Sequence, residues 1–307
     1  MRYLLTVFSL LGWVSILWSG SGETACGFLK FSNSAKSSSL GGAYSAYPGG
    51  ADMIFSNPAG GVNLQNSEVY FAFSNYISNS KLVLLSYLKK KDNLSLGLGV
   101  GNFVIDSIER RTQDSKGIVP SQGFFNARDS IVLFTFSKYD FLPSLMDNLS
   151  GGVNLKIINS KIDSDSAYAF AIDAGILYPY QQNIIFSFVL MNLGSKIKYH
   201  EFGDKLPLSI KAGGYYRHND SIGIVGEIEE YIYDERFYPS IGFEWNVKKS
   251  LAIRTGYRFG YDRENLGNFV GFSLGIGVVA NDVSFNYSYS PFGELGDINK
   301  FDISLKF

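Results

Sequence analysis

The chain has 307 residues, with 27 Lys and Arg against 28 Asp and Glu, a formal net charge of -1, and 46% hydrophobic residues that include 20 Tyr and 25 Phe. A charged fraction of 18% beside 16% aromatics excludes a disordered chain, and the even balance of charge removes the basic footprint that a nucleic-acid binder needs. One Cys and two His are too few for a structural zinc site or a disulfide framework, while 33 Gly with abundant Tyr and Phe point to many short strands.

The chain opens with one basic residue, Arg2, then an apolar run through Trp18 and the small residues Ser19-Gly20-Ser21-Gly22. This is the order of a secretory signal peptide over residues 1–22, with an uncleaved anchor as the alternative reading. Cys26 near the mature N-terminus raises lipid attachment, but Glu23-Thr24-Ala25 departs from the Leu-rich lipoprotein signal, which leaves a lone thiol as the other reading. Residues 27–66 are rich in Ser and Gly and show no alternation, so an irregular or partly helical segment is expected there. Within it, Pro58 fixes its own φ and biases Asn57 away from helix, which suits a fixed turn.

After this segment no run of about 18 apolar residues occurs, so helices cannot carry the chain across a membrane and a closed barrel is the remaining membrane option. Period-two segments are then read near 67–76, 80–89, 93–104, 127–138, 150–162, 166–178, 183–192, 206–216, 220–232, 237–246, 249–259, 267–279, 282–290 and 299–307. The alternation is cleanest late in the chain, where Val270, Phe272, Leu274, Ile276 and Val278 oppose Gly271, Ser273, Gly275 and Gly277. The fold class expected is all-β: an antiparallel transmembrane barrel of about 14 strands. Tight links at Pro179–Gln182, Arg217–Asn219, Val247–Lys248 and Ala280–Asn281 alternate with long ones at 106–126, 194–205, 260–266 and 291–298, as periplasmic turns alternate with extracellular loops. The links 77–79 and 139–149 break that pattern, and the second has room for a short helix. Phe301, Ile303, Leu305 and Phe307 end the chain as the apolar face of a strand with an aromatic terminus, like the signal that barrel assembly machinery recognises.

Gly41-Gly42-Ala43-Tyr44, followed some fifteen residues on by Asn57-Pro58-Ala59-Gly60, resembles the N-terminal hatch of FadL-type long-chain fatty-acid channels, and more closely that of their PorV/PorQ relatives. Gly152-Val153-Asn154-Leu155-Lys156, Leu206-Pro207-Leu208 and Tyr287 to Asp297 extend the resemblance over most of the mature chain. One departure is Gly49-Gly50-Ala51-Asp52, where the family usually carries paired Asp. The resemblance implies a signal peptide at 1–22, a hatch at 23–66 that plugs the lumen, and a bacterial outer-membrane barrel at 67–307. It also implies a lateral gate at a kink in the third strand, which here carries Gly97, Gly99 and Gly101; glycines eased against the plug are the alternative.

Gly271-Phe272-Ser273-Leu274-Gly275 matches a nucleophile-elbow pattern, yet both His200 and His218 precede it and the strand alternation runs through it. An enzyme is therefore not expected, nor a cofactor or metal site. The acidic residues Glu227, Glu229, Glu230, Asp234 and Glu235 read as a solvated loop, and Tyr178, Tyr180, Tyr215, Tyr216, Tyr257, Tyr261, Tyr287 and Trp245 as an interfacial girdle. Two functions survive: a channel for hydrophobic molecules such as long-chain fatty acids, and a PorV-like accessory of type IX secretion that binds exported proteins through loop 106–126 with Arg110, Arg111, Phe124 and Phe125. The partners expected are outer-membrane lipid, the assembly machinery and either a hydrophobic ligand or secreted proteins; no nucleic acid is expected.

Overall fold

The computed structural model describes residues 24–111, 113–114, 117–118 and 121–307, so the expected signal peptide lies outside the described residues. Fourteen strands form the wall: β1 (Ser67–Asn75), β2 (Ser80–Lys91), β3 (Leu94–Glu109), β4 (Phe124–Lys138), β5 (Ser150–Ile162), β6 (Asp165–Gln181), β7 (Ile184–Gly194), β8 (Ser209–Arg217), β9 (Ile222–Tyr231), β10 (Arg236–Lys248), β11 (Leu251–Arg258), β12 (Phe272–Ala280), β13 (Val283–Pro291) and β14 (Asp297–Lys306). Each pairs antiparallel with its neighbours in sequence, and β1 pairs with β14 to close the barrel. The all-β barrel expected from the alternation is the fold observed.

The pleat sorts the side chains as the sequence pattern requires. On β1, Glu68, Tyr70, Ala72 and Ser74 are buried while Phe71 is exposed; on β12, Ser273 and Gly277 are buried while Leu274, Ile276 and Val278 are exposed. The outer wall thus presents Leu96, Leu98, Phe134, Phe136, Phe186, Phe188, Ile241, Phe243, Phe285 and Phe301 to the surroundings. An apolar belt of this extent is foreign to water-soluble proteins and matches hydrocarbon as the outer solvent. Closure leaves no strand edge whose backbone groups would need water there.

The strands differ from expectation mainly at their ends. β3 and β4 extend past the expected boundaries, because after a bulge between Ile105 and Ile108 the pairing resumes as Ile108 to Phe125 and Glu109 to Phe124. β8 begins at Ser209, just after Pro207, which has no N–H to give to a ladder, and β12 begins just after Gly271, held at φ 93. The link 139–149 is built of turns, with Asp140 and Asn148 at positive φ, and the expected short helix is not formed there. At the other end of the barrel lie the long links 110–123, 195–208 and 259–271; the last carries the short helix α2 (Arg263–Leu266), numbered after the helix described next.

Residues 24–66 do not join the wall. They hold three 3-10 turns and the helix α1 (Ala35–Ser39), and most are buried against inward-facing side chains. This inner segment starts at the long-loop end, where Ala25 N–H donates to Lys205 O at 3.0 Å, and reaches β1 at the opposite end.

Candidate functional site

The inner segment is fixed by local chemistry that its sequence dictates. Ser34 caps α1 by accepting from Ser37 N–H at 2.9 Å. At its other end Gly41 N–H reaches Ser38 O and Gly42 N–H reaches Ser37 O, a Schellman arrangement that places both glycines at positive φ. Asn57 caps the turn Pro58–Asn63, its Oδ1 accepting from Ala59 N–H at 2.9 Å while its Nδ2 donates to Ser45 O at 2.8 Å. The segment meets the wall backbone to backbone. A side chain at Gly152 would lie 2.4 Å from Pro58 and Ala59, and one at Gly256 would lie 2.2 Å from Leu40 and Gly41.

Polar anchors complete the docking. Glu227 Oε2 accepts from Tyr44 N–H and Ser45 N–H at 3.1 and 2.7 Å, and Asp302 Oδ2 accepts from Ala35 N–H at 2.7 Å. Tyr47 Oη donates to Glu244, whose carboxylate also accepts from Arg254 Nε at 2.5 Å. On the opposite wall Asn154 Nδ2 donates to Ile54 O and Ser137 Oγ to Pro58 O. Tyr44 Oη donates to Asp52 at 2.7 Å. Within the departure Gly49-Gly50-Ala51-Asp52, a side chain at Gly50 would meet the Glu68 carboxylate at 2.3 Å, and that carboxylate accepts from Ala51 N–H.

Above α1, at the long-loop end, a cavity of about 220 Å³ remains between the segment and the wall. Phe31, Tyr76, Tyr238, Tyr261 and Phe292 supply much of its apolar surface, with Phe31 stacked on Tyr76 at 4.3 Å between ring centroids. Three cations line it: Lys30, Arg258 and Lys300. Lys30 pairs with Asp234 at 2.9 Å and Arg258 with Glu229 at 2.9 Å, whereas Lys300 donates to Ser32 O and to Tyr76 Oη. Burial, then the nearby Tyr261, holds the Tyr76 phenol well above its ordinary range, so this partner stays a neutral hydroxyl.

Several expected residues fall elsewhere. Glu227, Glu229 and Asp234 form no solvated loop: they are buried on the inner side, engaged with the inner segment, with Lys211 and Arg258, and with Lys30. Tyr215 is buried inside against Tyr47, and Tyr261 lines the cavity, so neither serves a girdle; Tyr180, Tyr216 and Trp245 do face outward. Cys26 is buried among apolar groups inside the wall, where a lipid chain has no route to a bilayer; burial, then Asp129, pushes its thiol up to about 12. Gly97, Gly99 and Gly101 face inward, and their ladders to β2 and β4 are continuous. Leu88, Ile54 with Leu133, and Leu84 with Ile131 occupy the space beside them. The irregularity in β3 sits at Asp106–Ser107 instead, with Ser107 at φ 59. Phe301, Leu305 and Phe307 are exposed on the outer face, and Phe307 and Ser67 exchange backbone hydrogen bonds at the seam. The sequence reading missed Lys300 and Arg258, although Lys300 and Asp302 share the inward row and flank the outward Phe301.

The architecture is that of a closed, lipid-facing barrel with a buried inner segment and an aromatic cavity at one end. A family model described as an uncharacterised protein family, UPF0164, matches residues 20–165. No curated protein matches the chain. Among solved structures it is similar to the toluene transporter TodX of Pseudomonas putida, with a TM-score of 0.65 and 13% identity over 89% of this chain and 98% of that one. The toluene transporter TbuX of Ralstonia pickettii gives a TM-score of 0.65 at 10% identity, covering 89% and 98%. A FadL homologue of Pseudomonas aeruginosa gives 0.55 at 11%, covering 89% and 97%. At these identities the likeness is one of fold.

Proposed function

We propose that the chain is a non-enzymatic outer-membrane channel for hydrophobic small molecules, with a signal peptide at 1–22, a plugging hatch at 23–66 and the barrel at 67–307. The observation that carries this reading is the aromatic cavity at the long-loop end, floored by the inner segment, so that a molecule entering from outside meets a binding site before any passage. The fold shared with hydrocarbon transporters supports it. Gly41, Gly42, Asn57, Pro58, Ala59 and Gly60 hold the hatch in shape, and the outward row ending at Phe307 serves assembly into the outer membrane.

For the way out of the lumen, Gly97, Gly99 and Gly101 are the positions where β3 bends at least cost, the ladder being continuous in the structure described. Uptake of labelled toluene and oleate by cells lacking their own hydrophobic channels tests the whole reading. Expression of the chain should raise uptake, and Gly99→Val should abolish the gain without loss of the heat-modifiable folded band. No gain with either compound would overturn the channel. Exported polypeptides retained at the β3–β4 hairpin, where Phe124 is exposed, would instead favour the secretion accessory.

A further inference from the structure

Building on the channel reading, we propose that the cavity at the long-loop end selects compact aromatic carboxylates over neutral hydrocarbons, with the Lys300 ammonium as the headgroup site. Lys300 is only 2% exposed and lies on the inner face of β14. An ammonium has three N–H donors, and two of them reach neutral oxygens, Ser32 O and Tyr76 Oη. No carboxylate among the described residues forms an ion pair with it. Of the nearby acidic groups, Glu229 pairs with Lys211 and Arg258 and Asp234 with Lys30, while Asp302, two places along the same inward row, accepts from Ala35 N–H and Asn286 and acts on Lys300 only through space.

The cavity lining contains Lys30, Arg258 and Lys300 but no Asp or Glu, and the buried Arg258 Nε also lacks a hydrogen-bond partner. A neutral hydrocarbon would leave Lys300 without a carboxylate partner. A carboxylate would accept the third Lys300 proton and hold the buried group as an ion pair, which a neutral ligand cannot do. The volume, about 220 Å³, lies below the roughly 300–1,000 Å³ of sites for drug-sized ligands, which suits one ring with a short substituent. Phe31 stacks on Tyr76, and Tyr261 lies edge-on to Phe292 at 5.3 Å between centroids, so much of the lining is aromatic.

Calorimetry on the full purified chain with benzoate and its near-isosteric neutral ester, methyl benzoate, tests the assignment. The unsubstituted protein should bind benzoate about tenfold more tightly, the difference expected of a charge-assisted hydrogen bond. Lys300→Met should erase that preference, the acid-to-ester ratio falling to about one, and Lys300→Arg should restore it. An ester bound as tightly as the acid by the unsubstituted protein, or a preference that survives Lys300→Met, would overturn the headgroup site. If Lys300→Met gives no folded band, Lys300→Gln replaces it, and the acid-to-ester ratio of the unsubstituted protein alone still decides. Ester binding and uptake without acid preference would sink this assignment and leave the channel standing; neither ligand bound and neither taken up would sink both.

Discussion

The two halves of the barrel hold the same inner segment by different means. The inner face of β2 to β4 is largely apolar, with Leu82, Leu84, Leu88, Ile131 and Leu133 packed on Phe28, Ile54 and Phe55. The inner face of β8 to β14 is charged, with Lys211, Glu227, Glu229, Glu244, Arg254, Lys300 and Asp302, and it meets the segment through hydrogen bonds. Apolar packing tolerates sliding, because it is non-directional. Directional bonds fix register, and breaking one strands a buried charge. The segment is therefore mostly greased on one side, where Ser86, Ser95 and Ser137 add neutral hydroxyl bonds to its carbonyls, and keyed by charged groups on the other.

The largest effect is expected on the keyed side. Arg254→Met leaves the buried Glu244 carboxylate with Tyr47 as its main partner, and should lower stability by about 3–5 kcal/mol in urea unfolding of the reconstituted barrel. Adding Glu244→Gln should recover most of that loss; no recovery would mean that the pair is not what keys the segment. On the greased side, Leu133→Ala removes a fully buried side chain beside Ile54 and should cost about 2–3 kcal/mol in the same assay. A cost equal to that of Arg254→Met would erase the contrast between the halves. The smallest effect belongs to Lys30→Met at the long-loop end, where the pair with Asp234 is partly open to solvent. Stability should fall by about 1–2 kcal/mol, since Thr24 still donates to the buried Asp234, while protease cleavage near Thr24 becomes faster. A large loss of stability would place the start of the segment among the keys.

The same asymmetry explains what could be read from the sequence. Alternation is sharp in β12 to β14 because Ser, Gly, Asn and charged residues face the lumen and Val, Ile, Leu and Phe face lipid. In β2 the run Leu82-Val83-Leu84-Leu85 is apolar on both faces, since its inner side packs on the segment, and the period fades although the strand itself is found. Glu227 and Glu229 were legible in principle: they alternate with Ile228 and share an inward row with Tyr231. What hid their role was the docking of a remote segment, for Tyr44 lies far off in the chain and comes near only when the inner segment fills the lumen, while Lys211 sits directly across the β8–β9 ladder from Glu229. The glycines of β3 are read as a lateral gate or as room for the inner segment, and local sequence permits both. The side chains of Ile54 and Leu133 that fill the space beside them belong to other elements, and no local pattern announces them.

The inner segment enters at one mouth of the barrel and leaves at the other, so the finished molecule is threaded like a needle. Its N-terminal end must lie inside before β1 and β14 meet, or else travel end-first through the whole lumen past its own backbone contacts. The order of assembly is thereby constrained, with the β1–β14 seam as the natural last step. Anything joined ahead of Thr24 would emerge beside the long loops, a ready means of displaying a foreign sequence at that mouth.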